Sequence, residues 1–266
     1  MSKPLEGRVV VVTRAADRAE ALGRLLASRG AVAVSAPAIE ILPAPRRALE
    51  RALRRAADGV FDWIVLTSRE GVVAAQERLA SMSMGWTELR ACVAAVGEGT
   101  AGALRDAGLE PDLVPPTFTT AALGRAMPRG HGRVLLARAD IAPVELEQAI
   151  SSKGWVIERV DAYRTRLARR LPARVARMLR EGSVDAVTFT SASTVDGFVR
   201  AAGPELTRQL VAAFGPSVVC IGPVTAEAAR RAGFTVNGVA RPHTIEGLVA
   251  AVERVLGAAA RAKERA

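Results

Sequence analysis

The chain is expected to be an α/β protein built from two similar parallel-sheet domains, and three observations carry that expectation. Short apolar runs and helical patterns alternate along the sequence. The runs are apolar on both faces, as strands covered by helices on each side must be. The motifs also recur in one order, at an offset of 123 to 125 residues, which marks an internal duplication. With 266 residues, half of them hydrophobic, there is length for two domains and apolar material for their cores.

Taken in order, RVVVVT (8–13) reads as a buried strand. A helix follows from about Asp17 to Ser28, with leucines at 22, 25 and 26 on one face and Gly30 closing it. AVAVSA (31–36) is the next strand. Further β-rich runs are WIVLT (63–67), CVAAV (92–96), RVLLA (133–137), WVIERV (155–160), AVTFT (186–190) and VVCI (218–221), with helices between them. The duplication pairs Gly7 with Gly132, FDWIVLTS (61–68) with VDAVTFTS (184–191), Gly97 with Gly222, Gly108 with Gly233, and TFTTAAL (117–123) with PHTIEGL (242–248). Two extended segments, PAIEILP (37–43) and DAYRTR (161–166), follow the second strand of each copy and read as linkers that pair in a short ladder. A chain that crosses there has one discontinuous domain, 1–36 plus 167–266, and a second from 43 to 160, with 37–42 and 161–166 as the ladder.

Composition excludes several classes. The net charge of +10 is carried mostly by arginine, which suits either a polyanionic partner or an Arg-rich codon bias. Nucleic acid is disfavoured, because aromatics make up only 4% and no basic-aromatic interleaving occurs. Two histidines without Cys/His spacing leave no metal site. Cys92 and Cys220 lie beside or within apolar runs and read as buried, reduced thiols of a cytoplasmic chain. No apolar stretch reaches a membrane span, and the first apolar run meets Arg14 and Asp17 too soon for a signal peptide. The basic tail from Gly257 reads as a helix end.

The chemistry is expected at the strand-to-helix junctions. In an open parallel sheet these converge at the carboxyl edge, where helix N-termini present N–H groups to anions. The junctions are TRAAD (13–17), TSREG (67–71), GEGTA (97–101), TSAST (190–194) and GPVTA (222–226). Their Ser and Thr can cap helices and can equally donate to a ligand. Thr13, Thr67, Ser68, Thr190 and Ser191 are therefore candidate ligand-binding residues, with Gly97, Thr100, Gly222 and Thr225 from the doubled Gly-x-x-Thr loop. Arg14 and Arg138 end the first strand of each copy and are candidates for pairing with carboxylates. GEGTAG (97–102) matches a dinucleotide fingerprint, but no acid follows at the required distance and the second copy keeps the Thr rather than the glycines. Tyr163, the one tyrosine, falls in the second linker, where a phenol could reach a ligand or simply pack.

VLTSREGV, AAVGEGTAGALRDAGL, RVDAYRT, VTFTSASTV and CIGPVTAEAARRAGF…PHTIEGLVAAV together resemble the uroporphyrinogen-III synthase family, over nearly all of residues 7–256. The resemblance implies two flavodoxin-like domains joined by a two-stranded β-ladder, with the substrate between them. It implies a cofactor-free, metal-free monomer that expels the terminal hydroxyl of hydroxymethylbilane. The ring then closes to uroporphyrinogen III with ring D inverted through a spiro intermediate. The substrate could be handed over by hydroxymethylbilane synthase, and no nucleic acid or membrane is involved. By the same resemblance Tyr163 matches a linker tyrosine that assists the hydroxyl's departure, and Thr67, Ser68, Thr190, Ser191 and Thr225 match polar positions of the family's cleft. Ala15 and Val224 depart from the common pattern, in which Pro and a second Thr stand there. The alternative reading is a non-catalytic, two-lobed tetrapyrrole or polyanion binding module derived from the synthase.

Overall fold

The structure is a computed structural model that describes residues 3–212 and 215–264, with side chains described to 258. In chain order the elements begin β1 Val9–Val12, α1 Ala16–Ser28, β2 Val32–Ser35, β3 Ile39–Pro43, α2 Arg46–Ala57, β4 Trp63–Leu66, α3 Arg69–Ser81, β5 Cys92–Ala95, α4 Glu98–Asp106 and α5 Thr120–Ala126. They continue β6 Arg133–Ala139, α6 Glu145–Ser151, β7 Val156–Leu167, α7 Ala173–Arg180, β8 Ala186–Phe189, α8 Ala192–Val211, β9 Ser217–Cys220, α9 Pro223–Arg231, β10 Val236–Val239 and α10 Ile245–Glu264. Two compact units result, residues 1–40 with 166–266 (unit 1) and residues 41–165 (unit 2).

Unit 1 carries a parallel sheet in the order β10-β9-β8-β1-β2. Renumbered within the unit this is 2-1-3-4-5, the flavodoxin-like order, whose switch point lies between β1 and β8. Alternate strand residues feed two cores. Val11, Val187, Phe189, Val218 and Cys220 meet α7, α8 and α9 on one face. Val10, Val12, Ala186 and Val219 meet α1 and α10 on the other. Phe189, Phe198 and Phe234 pack as a trio with ring centroids 5.4 to 6.4 Å apart. Helix α8 is kinked partway along, where Gly203 takes φ 75° and Pro204 has no N–H to continue the ladder.

Unit 2 carries the order β3-β7-β6-β4-β5. Strands β7, β6, β4 and β5 run parallel and repeat β2, β1, β8 and β9. Ile64, Leu66, Val93, Ala95, Leu135 and Ala137 face α2, α3 and α4. Val65, Ala94, Val134 and Leu136 face α5 and α6. The place of β10 is taken by a single parallel bridge, Ala94 to Leu113, and β3 is added beyond β7.

The duplication extends to hydrogen bonds. Asp62 N–H donates to the Arg133 carbonyl and Asp185 N–H to that of Val9, both at 2.9 Å. The two carboxylates accept from Arg133 N–H and Val9 N–H, both at 2.8 Å. Asp112 accepts from Val93 N–H at 2.7 Å as Asn237 accepts from Val218 N–H at 2.8 Å. These bonds match β6 to β1 at an offset of 124, one less than the Gly7–Gly132 alignment.

Several expectations change. Residues 161–166 are the last part of one long strand, β7, which runs unbroken from Val156 to Leu167 and has β3 as its neighbour. Strand β10 was invisible in the sequence, since Val-Asn-Gly-Val has no apolar run. Cys92 is exposed rather than buried, because it opens β5 before the strand enters the core; Cys220, at the inner end of β9, is buried. The basic tail continues α10 to Glu264, and residues 265–266 lie outside the described residues. No helix among the described residues is long and apolar enough to cross a membrane.

Candidate active site

In unit 1 the loop after β8 is held by its own side chains. Ser191 caps α8, its Oγ accepting from Thr194 N–H at 3.2 Å. Thr194 Oγ1 accepts from Thr190 N–H at 3.2 Å and Ser191 N–H at 3.1 Å, and donates to the Ser191 carbonyl at 2.7 Å. Residues 190–191 are thereby fixed by one buried hydroxyl. The Ser191 and Ser193 hydroxyls also bond each other at 2.9 Å. In unit 2 Ser68 caps α3, accepting from Gly71 N–H at 3.1 Å, and Thr67 is half-buried beside it. Gly71 stands where Thr194 stands, so the second loop lacks that hub.

The Gly-x-x-Thr loops are true twins. Gly97 and Gly222 are the N-cap residues of α4 and α9, neither with a side-chain cap. Their first-turn N–H groups and the helix dipole are thus not occupied by a capping side chain. Thr100 and Thr225 are both 4% exposed, on the first turns of these helices. The first turns of α8 and α9 contain no acid, whereas α3 and α4 carry Glu70 and Glu98. Over each glycine lies a ring, Phe118 over Gly97 and His243 over Gly222. The next residue caps a helix in both copies: Thr119 Oγ1 accepts from Ala122 N–H and Thr244 Oγ1 from Gly247 N–H, each at 3.1 Å.

Thr13 is fully buried and its hydroxyl donates to the Thr188 carbonyl at 2.7 Å, while Thr188 Oγ1 donates to the Val11 carbonyl at 3.0 Å. This stitches β1 to β8 at the switch point, so the Thr13 hydroxyl proton is engaged within the sheet. Arg138 is also engaged inside its unit. Only 2% exposed, it donates to Glu147 at 2.6 Å and to the Pro143 carbonyl at 2.8 Å. Arg159 shares Glu147 at 3.1 Å and donates to the carbonyls of Ala139, Asp140 and Ala142. Two guanidinium groups and one carboxylate therefore clamp the 139–143 loop from inside. Arg14, the positional twin of Arg138, is half-buried.

Tyr163 is half-buried against the unit 2 core. The pairing of β6 with β7 slips by a residue here, from Arg138 opposite Asp161 to Ala139 opposite Tyr163. Such a bulge re-aims the side chain that follows it. The Tyr163 carbonyl accepts from Asp140 N–H at 3.2 Å, tying the tyrosine to the end of β6. Among the described residues no cluster of His, Cys, Asp and Glu could hold a metal ion. Sequence reasoning missed Thr194, Glu147, Arg159 and the paired rings; the 125-residue offset between Phe118 and His243 was the signal for the last.

The family model for uroporphyrinogen-III synthase HemD matches residues 20–250. A uroporphyrinogen-III synthase of Synechococcus elongatus is 30% identical over 95% of this chain and 97% of its own length. A porphyrin biosynthesis protein HemD of Ruminiclostridium josui is 32% identical over 94% of this chain and 49% of its own length. The crystal structure of a mutant uroporphyrinogen III synthase from the extreme thermophile Thermus thermophilus superposes with a TM-score of 0.73, covering 94% of this chain and 99% of that one at 24% identity, a likeness of fold. On its sequence and its doubled sheets, the chain belongs to the uroporphyrinogen-III synthase family.

Proposed function

We infer that the chain carries out the family's reaction, closing hydroxymethylbilane to uroporphyrinogen III with loss of water and inversion of ring D. One observation carries this reading most directly: two helices, α4 and α9, begin at glycines without side-chain caps and hold a buried Thr in their first turns. A substrate with carboxylates on every ring wants many N–H and O–H donors in a positive field. The net charge of +10 supplies that field. We assign carboxylate binding to the loops at Thr67–Ser68, Gly97–Thr100, Thr190–Ser191 and Gly222–Thr225, with Arg14 as a charged partner.

Tyr163 is the proposed proton donor. A phenolic hydroxyl can donate its proton to a departing oxygen. As the carbon–oxygen bond breaks, the phenol's proton would leave with the hydroxyl as water, and the pyrrole nitrogen would delocalise the positive charge left on the methylene carbon. Attack by the substituted carbon of ring D, rearrangement and loss of a ring proton would complete closure. A monomer in the cytoplasm, supplied by the enzyme that makes this unstable substrate, is the setting we propose.

The test is isomer analysis. Incubation with hydroxymethylbilane should give the type III isomer by chromatography. Only type I product, which forms without an enzyme, would overturn the reading and leave a binding module. Tyr163→Phe should lower kcat by about 10²–10⁴; a fall of less than tenfold removes the proton-donor role.

A further inference from the structure

The loops described so far offer donors to carboxylates and nothing to the flat, apolar faces of the pyrroles. We propose that the twin rings Phe118 and His243 supply that missing part, each receiving the face of a substrate pyrrole beside its Gly-x-x-Thr loop. The proposal rests on the reading of the chain as a tetrapyrrole cyclase, and it deepens that reading by assigning where ring faces bind.

Three observations support it. Phe118 is 45% exposed, whereas Phe61, Phe189, Phe198 and Phe234 are all buried. An exposed Phe ring in a chain with so few aromatics is not demanded by packing. Secondly, a Cβ on Gly97 would stand 2.6 Å from Phe118 Cβ and 2.8 Å from its Cγ. Only a bare glycine lets the ring sit against the start of α4, next to the buried Thr100. Thirdly, the arrangement is made twice. A Cβ on Gly222 would meet the His243 ring at ordinary contact, 3.7 Å, and the ring is anchored by Nδ1 against the Ala240 carbonyl at 2.8 Å. That bond leaves the rest of an exposed imidazole to the solvent side. Both rings precede a capping Thr, so the backbone on their C-terminal side is fixed. A ring held in this way loses little freedom when another ring stacks on it, and offset stacking is the favoured geometry.

A ligand that carries acids on the rim of apolar rings is matched by this combination: amides and hydroxyls for the side arms, a ring for the face. Isolated carboxylates or phosphates would have no use for Phe118.

The experiment measures kcat and KM with hydroxymethylbilane for the unaltered chain and for Phe118→Leu, Phe118→Ala, Phe118→Trp and His243→Phe, with thermal melts to verify folding. Stacking of this kind is worth about tenfold or more in affinity. KM should rise about tenfold in Phe118→Ala and about three- to tenfold in Phe118→Leu, which keeps the apolar volume but loses the π face. Phe118→Trp and His243→Phe should keep KM within about twofold of the unaltered chain. A Phe118→Leu variant with unchanged KM overturns the proposal, as does a loss confined to kcat. Failure of the unaltered chain to make type III product would instead sink the reading beneath it, so the two failures are told apart.

Discussion

Arg14 and Arg138 occupy the same backbone position in the two units, at the carboxyl end of the strand beside the switch point, yet the elements around them differ. In unit 2, α6 brings Glu147 up to the strand end and β7 adds Arg159, so Arg138 is folded inward and clamps a loop. In unit 1 the residue matching Arg159 is Ser35, by the pairing of Val12 with Ser35 against that of Leu136 with Arg159. The first unit instead binds its switch point with the neutral Thr13–Thr188 hydroxyl pair, where unit 2 has Ala137 and Val65. Duplication preserved the strand register and its Asp brackets, and left each copy to stabilise its carboxyl edge by its own means. The difference teaches that an arginine's position in a repeat does not fix its surroundings; the neighbouring helix and strand set them.

The comparison can be broken most forcefully at Glu147. Glu147→Ala removes the carboxylate shared by two guanidinium groups, one of them on a side chain only 3% exposed. Removing one partner of a buried ion pair costs about 3–5 kcal/mol, so denaturant titration should show a loss of that order, with KM changed less than stability. Arg14→Ala tests the carboxylate contact proposed for that side chain. Losing one charged hydrogen bond to a substrate carboxylate, worth about 1.5–3 kcal/mol, should raise KM about tenfold or more. An unchanged KM in Arg14→Ala would remove that assignment.

The loops after β8 and β4 offer a subtler contrast. Thr194→Val removes the hub that holds the backbone of residues 190–191 and should cost about 1–2 kcal/mol, with Thr194→Ser restoring both stability and KM. Unit 2 manages with Gly71 there, so no comparable hub exists to lose. The last contrast concerns the thiols, and at neutral pH it leaves stability unmoved. Burial pushes the Cys220 thiol up to about 12, against a lesser opposing effect of Arg230. Partial burial, then Asp112 and Asp62, raises that of exposed Cys92 as well. Alkylation in the native protein should therefore modify Cys92 first and Cys220 only on unfolding. An unfolded thiol ionises near its ordinary pKa while folded Cys220 keeps its proton, so its stabilising contribution is present below about pH 9 and lost as pH climbs towards 12. Cys220→Ala should flatten that alkaline slope in a pH series of melts.

What the sequence by itself determined were the features written in local pattern: the alternation of buried strands with helices, the duplication, the Gly-x-x-Thr junctions and Ser191 and Ser68 as caps. Each depends on residues within a few positions of one another, or on a repeat that a second copy makes visible. Only the tertiary structure decided that Thr13 faces Thr188, 175 residues away, and that Arg138 turns inward to Glu147. It also decided that Phe118 lies over Gly97, that Cys92 faces outward and that Val236–Val239 pairs as a strand with β9. The physical reason is the same in every case. A hydroxyl, a guanidinium or an edge strand takes whatever partner the packed sheet brings to it, and that partner is chosen by contacts distant in the chain, which no local spacing records.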